Sequence, residues 1–234
     1  LIAWLTDCAL ILFIFTGTRL LAEQQTDTRL LGALGGAFFL TSALSNACSG
    51  QLSDRIGRRV VSISGALCLI GALSLVALFQ QGGWPFYVSY VCVGLAVGQI
   101  YPPVIALLSQ GTSGREASRR FLFFGLAFNC GILCGQVGGG WLFLHLGRQA
   151  PLWVAIGMAC GTLLCLLVMH IPAENKLEVP EISKQGEQDE QPRARLFATL
   201  AWAANFAGMF SMSVLWFVFP DLAVEQKMSS VVHG

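Results

Sequence analysis

The sequence predicts an all-α membrane protein, a polytopic bundle of seven spanning helices. Three observations lead there. Of the 234 residues, 55% are hydrophobic and only 12% are charged, against about 25% charged in an ordinary soluble domain. The apolar residues fall into stretches of about the 20 residues that a membrane crossing requires. The charges gather in every second connection between them, as the topology of membrane proteins demands.

The spans are expected at 1–20, 30–49, 60–79, 86–109, 121–143, 151–171 and 196–219. Between the sixth and seventh, residues 172–195 carry Glu174, Glu178, Glu181, Glu187, Asp189 and Glu190 among few apolar neighbours. Such a composition reads as a flexible or partly helical linker. Connections 50–59, 110–120 and 172–195 hold ten of the fourteen Lys and Arg residues; the opposite side holds Arg19, Arg29, Arg148 and Lys227. That asymmetry predicts the first set, the amino terminus and the linker in the cytoplasm of a plasma-membrane protein. Trp84, Tyr87, Trp141, Trp153 and Trp216 are expected at the outward ends as an interfacial belt.

Several classes are disfavoured. The chain opens within an apolar segment and not on a Met, and no secretory leader is expected there. All eight cysteines, at 8, 48, 68, 92, 130, 134, 160 and 165, lie in apolar stretches, so buried thiols are expected and not a disulfide framework. Cys130 and Cys134 share a helix face, but without His or acid nearby they are a poor metal site. No metal, cofactor or catalytic residue is expected. A membrane enzyme would need a cluster of His, acids or Cys at membrane depth. The run Arg115-Glu116-Ala117-Ser118-Arg119-Arg120 sits between two spans and reads as a topology signal, not as nucleic-acid binding.

One short polar stretch organises the chain. Asp54, Arg55, Arg58 and Arg59 crowd into six positions of Gly50-Gln51-Leu52-Ser53-Asp54-Arg55-Ile56-Gly57-Arg58-Arg59. The stretch is expected to be a loop ending the second span, with Gly50 and Gly57 permitting a sharp turn and close approach. The pattern Gly-x-Leu-x-Asp-Arg-x-Gly-Arg-Arg, carried by Gly50, Leu52, Asp54, Arg55, Gly57, Arg58 and Arg59, resembles the loop between the second and third helices of major facilitator superfamily (MFS) transporters. The resemblance implies a six-helix N-terminal half over 1–171, a cytoplasmic linker over 172–195, and the first helix of a C-terminal half within 196–234. On that reading the chain is truncated relative to a twelve-helix transporter, and its missing partner is the C-terminal half. It also implies that Asp54 fastens the two halves as a conformational latch, with Arg58 in the same charge network.

An internal repeat agrees. Gly35, Ala37, Phe38, Gly50, Leu52, Gly57 and Arg58 recur ninety residues later as Gly125, Ala127, Phe128, Gly140, Leu142, Gly147 and Arg148. An odd number of spans separates the copies, so the repeat is inverted, three helices plus three. The second copy has Leu144 where the first has Asp54.

Candidate residues follow. Asp7 is a rare acid inside a span, a costly placement that marks a cavity, a cation, a coupling proton or a basic partner, unless it is hydrated near the interface. Gln99, Tyr101, Asn129, Gln136 and Asn205 are the uncharged polar candidates for a substrate or proton cavity. Each is equally able to bond to a neighbouring helix. Gly131, Gly135 and Gly139 stack on one face for helix packing. Gly35, Ser42, Asn46 and Ser49 mark a contact face of the second span, and Tyr90, Gly94, Gly98 and Tyr101 one of the fourth, which Pro102-Pro103 should bend. Related transporters often carry an Arg near position 90, and several antiporter groups a Gly-Pro where this chain has Gly135-Gln136. The function implied is secondary transport of a small solute across a lipid bilayer by alternating access, with a proton as a coupling ion. The competing reading is a seven-helix receptor or other non-transporting membrane protein.

Overall fold

In the computed structural model of the chain, the described residues are 1–24, 27–79, 83–110, 114–169, 200, 211, 212, 214, 216, 217 and 219. They form six long helices: α1 Ile2–Glu23, α2 Thr28–Ile56, α3 Arg58–Leu78, α4 Trp84–Ser109, α5 Gly114–His145 and α6 Ala150–Val168. All six are long and apolar enough to cross a membrane. Lipid offers no hydrogen bonds to backbone amides, so a chain of this composition must satisfy them within helices.

The helices run past the expected spans at the charged end. α2 continues through Gly50 to Ile56, and α5 already begins at Gly114. The expected loop at 50–59 is therefore mostly helix. Charged side chains end the lipid-facing stretch but are compatible with helical backbone. The break is Gly57 alone, at φ 99°, a conformation that other residues rarely adopt. Gly50 makes no turn, and a Cβ there would meet nothing within 4 Å. α4 likewise continues as helix through Pro102 and Pro103.

α1 packs chiefly on α5 and α6, α4 on α2 and α3, and α3 meets α6. Exchanging the first three helices for the last three maps this pairing onto itself, as an inverted repeat requires. Gly57 and its repeat mate Gly147 share the same turn, at φ 99° and 95°. Their neighbours behave alike. Arg58 reaches the end of α4 through Ala106 O and Gln110 Oε1, both at 3.4 Å. Arg148 reaches the end of α1 through Glu23 Oε2 at 3.0 Å.

Small residues make the seams. A Cβ on Gly131 would lie 2.7 Å from Trp4 O, one on Gly135 2.8 Å from Ile11 Cβ, and one on Gly139 3.0 Å from Phe15. These three glycines bring α5 against the backbone of α1. On α4, a Cβ on Gly94 would sit 2.1 Å from Thr41 Oγ1 and 2.5 Å from Phe38 O, and one on Gly98 2.4 Å from Ser45 Cβ. Hydroxyls add bonds across the seams: Ser45 donates to Leu95 O at 2.8 Å, and Thr6 and Thr162 meet at 3.3 Å. Close approach and interhelical hydrogen bonds are the forces left to hold helices together in lipid.

Two expectations need correction. Only Cys8 of the eight cysteines is buried; Cys48, Cys130, Cys134 and Cys160 are exposed on helix surfaces, and all eight are free. A thiol facing lipid gains nothing by turning inward. Trp216 lies not in an outer belt but against α1 and α2. Of the span expected at 196–219, the residues 200, 211, 212, 214, 216, 217 and 219 are described, and each is helical. The linker 172–195 and Asn205 lie outside the described residues.

Gly94→Ala should lower stability by about 1–3 kcal/mol, the usual range for overpacking. Gly71→Ala, where nothing lies within 4 Å, should be neutral or stabilise by up to about 1 kcal/mol. Thermal denaturation in detergent measures both.

Candidate functional site

The fold places one acid at the meeting point of four helices. Asp7 is 1% exposed. The close approach of Gly131 sets the α5 backbone against it, a Cβ there being 2.9 Å from Asp7 Cβ. Tyr101 of α4 donates its phenolic proton to Asp7 Oδ1 at 2.5 Å, while Oδ2 has no hydrogen-bond partner among the described residues. Asp7 is thus enclosed, not hydrated at an interface, and its partner is a hydroxyl, not a base.

Beside this pair lies a cavity of about 330 Å³. α1 contributes Asp7, Leu10 and Ile11; α2 contributes Phe38, Phe39, Ser42, Ala43 and Asn46. α4 contributes Val97 and Tyr101, α5 Phe128 and Ile132, and Trp216 completes the wall. The rings support one another: Tyr101 meets Phe124 at 6.3 Å and Phe128 at 5.9 Å, edge to face, a geometry that aromatic pairs favour. Phe217, next to Trp216, is buried against Phe38, Phe39 and Tyr90, filling the space that Gly35 leaves.

The other polar candidates do not converge. Gln99 faces α3, its Oε1 accepting from Ser64 Oγ at 3.0 Å. Asn129 is exposed and bonds back to Gly125 O of its own helix at 2.7 Å. Gln136 is half-buried and does not line the cavity. Ser42 and Asn46, read from the sequence as a packing face, do line it. The aromatic lining escapes a search for polar residues. The repeat holds a signal for part of it, since Phe38 and Phe128 are repeat mates and both face the cavity. Among the described residues, no three His, Cys, Asp or Glu come together as a metal site.

The charged motif sits at the other extreme of exposure. The Asp54 side chain is 68% exposed and lies 3.8 Å from Arg58. Arg59 donates to Leu167 O at the end of α6. The two arginines therefore reach the carboxyl ends of α4 and α6, where unsatisfied carbonyls and the helix dipole favour a cation. At the opposite end Glu23 joins Arg19, at 3.3 Å, to Arg148.

A profile of the Major Facilitator Superfamily matches residues 1–233. The chain belongs to the Major Facilitator Superfamily. Six apolar helices make this MFS member a multi-pass membrane protein. Curated relatives include the inner membrane transport protein YajR of Escherichia coli (strain K12), 30% identical over 152 residues, which are 65% of this chain and 33% of YajR. The gentisate transporter of Corynebacterium glutamicum is 28% identical over 93 residues, 40% of this chain and 21% of that protein. The 4-hydroxybenzoate transporter PcaK of Pseudomonas aeruginosa is 28% identical over 150 residues, 61% of this chain and 33% of PcaK. The chain spans about a third of the length of YajR and PcaK.

The placement of Tyr101 depends on the backbone around it. Pro102 has no amide hydrogen for Gly98 O. Ser49 of α2 donates to that carbonyl instead, at 2.6 Å. Ser49→Ala should therefore cost about 1–3 kcal/mol, the penalty for an orphaned buried acceptor. Adding Pro102→Ala, which restores a donor within α4, should recover part of the loss. A double-mutant cycle of denaturation midpoints checks the coupling.

Proposed function

We propose that the chain takes part in secondary transport of a small solute by alternating access, with the Asp7 cavity as its share of the solute path. The observation that carries this is an acid held by Tyr101 between four spanning helices in the wall of a cavity, its second oxygen buried and without a hydrogen-bond partner among the described residues. Intramembrane acids are expensive and mark ion and substrate pathways. In transporters built from inverted repeats the site lies near the bilayer midplane, and one half rocks against the other around it. The relatives are named as transport proteins, which supports the same reading, and a transporter of this kind is not an enzyme. Asp7 is the carboxylate lining the cavity among the described residues, so it is the group assigned to a coupling proton.

The charge asymmetry supports a cytoplasmic placement for Asp54, Arg58 and Arg59, and with them the amino terminus and the linker 172–195. In this reading 1–171 forms one half and 196–234 begins the next. Asp54 is exposed at the end of α2, where a carboxylate is free to meet the start of a helix in the second half. That contact is the proposed latch.

Two measurements test the proposal on the protein as its gene encodes it, reconstituted into liposomes. Asp7→Asn should reduce solute flux by roughly tenfold or more, as expected when a charged hydrogen-bond partner is lost. It should also abolish any response to an imposed proton gradient. Wild-type flux in that variant would refute the role of Asp7. Asp54→Asn should slow flux more than it weakens solute binding; unchanged flux would remove the latch.

A further inference from the structure

We infer that the cavity around Asp7 takes a cationic solute with a flat apolar body, an aromatic amine or aryl quaternary ammonium. The inference rests on the transport reading and names its substrate class. Its basis is the charge and shape of the lining. Asp7 supplies the only formal charge in the cavity wall among the described residues. Tyr101 occupies one of its oxygens, and the other is buried without a hydrogen-bond partner among the described residues. The carboxylate is held on two sides, by the Tyr101 hydroxyl and by the α5 backbone at Gly131. Asp7 is 1% exposed, so a ligand meets that oxygen only when the side chains around it give way.

Around that single negative charge stand Phe38, Phe128, Trp216 and the Tyr101 ring. Aromatic faces are negative, and a cation set among them gains from each ring within about 6 Å of its centre, most from Trp. The same rings offer an apolar body a surface to stack on. Asn46 adds a polar group at the α2 wall. Among the described residues no Lys or Arg lines the cavity, so none of them neutralises a carboxylate solute. An anion of the benzoate type would place a second negative charge beside Asp7 in a low-dielectric site, where like charges exclude each other. This half therefore selects for the opposite charge from the solutes named for PcaK and the gentisate transporter.

Three probes of similar shape and different charge decide it: benzyltrimethylammonium, benzyl alcohol and benzoate. Equilibrium binding is measured on the purified protein as its gene encodes it, and uptake on the same protein in liposomes. The cation should bind most tightly. Asp7→Asn, which keeps the shape of the side chain and an acceptor for Tyr101, should weaken it by about tenfold or more. Trp216→Ala should weaken it several-fold and Trp216→Phe less, with elution from size exclusion unchanged in all three variants. Preferential binding of benzoate, failure of the cation to bind, or wild-type affinity for the cation in Asp7→Asn would overturn the inference. Cation binding without uptake would uphold it and sink the transport reading. Uptake of benzoate without cation binding would do the reverse.

Discussion

Contact between helix backbones is the constraint on which this structure depends. Lipid tails are as apolar as leucine, so burial of apolar side chains does little to bring helices together. What remains is close packing and hydrogen bonding across the seams, and both need small residues. Gly131, Gly135 and Gly139 let α1 lie against α5, and Gly94 and Gly98 let α2 lie against α4. The same contacts create the cavity. Beside the glycine contacts the cavity is lined by the larger residues Phe38, Phe128 and Tyr101. Packing and site are consequences of one arrangement.

Polarity is distributed by depth. At the charged end Arg58 and Arg59 reach the carboxyl termini of α4 and α6. At the other end Arg19, Glu23 and Arg148 form a chain that ties α1 to the α5–α6 turn. These groups stand at helix ends, where dipoles and water offset their charge. Asp7 has neither help. Its hydrogen-bond partner among the described residues is a phenol, and that is what distinguishes it from the structural charges.

Much of the fold is legible in the sequence. Six of the expected spans lie within 1–171, and hydropathy over about 20 residues finds them because the bilayer sets that length. The turn at Gly57 is equally local, since only the residue itself has to tolerate a positive φ. The helical run from Gly50 to Ile56 is not legible in the same way, because charge reports where lipid ends and not where hydrogen bonding ends. Candidate site residues divide likewise. Asp7 and Tyr101 stand out as polar groups in apolar helices, and they do meet. Gln99 and Asn129 look no different in sequence, yet one bonds to α3 and the other to its own helix. A helix can present a side chain in any direction, and which one faces a cavity depends on neighbours far away in the chain. The aromatic wall is hidden for a related reason, since Phe is common throughout such a sequence.

The burial of α1 bears on biogenesis. Every residue from Thr6 to Ala22 is buried, and the walls that bury them come largely from α5 and α6. Those walls leave the ribosome long after α1 does. Until α4 emerges Asp7 has no Tyr101, and until α5 emerges the α1 backbone has no glycine stripe to lie against. The nascent helix must therefore wait beside the translocon, or under the care of an insertase, until the later spans arrive to enclose it.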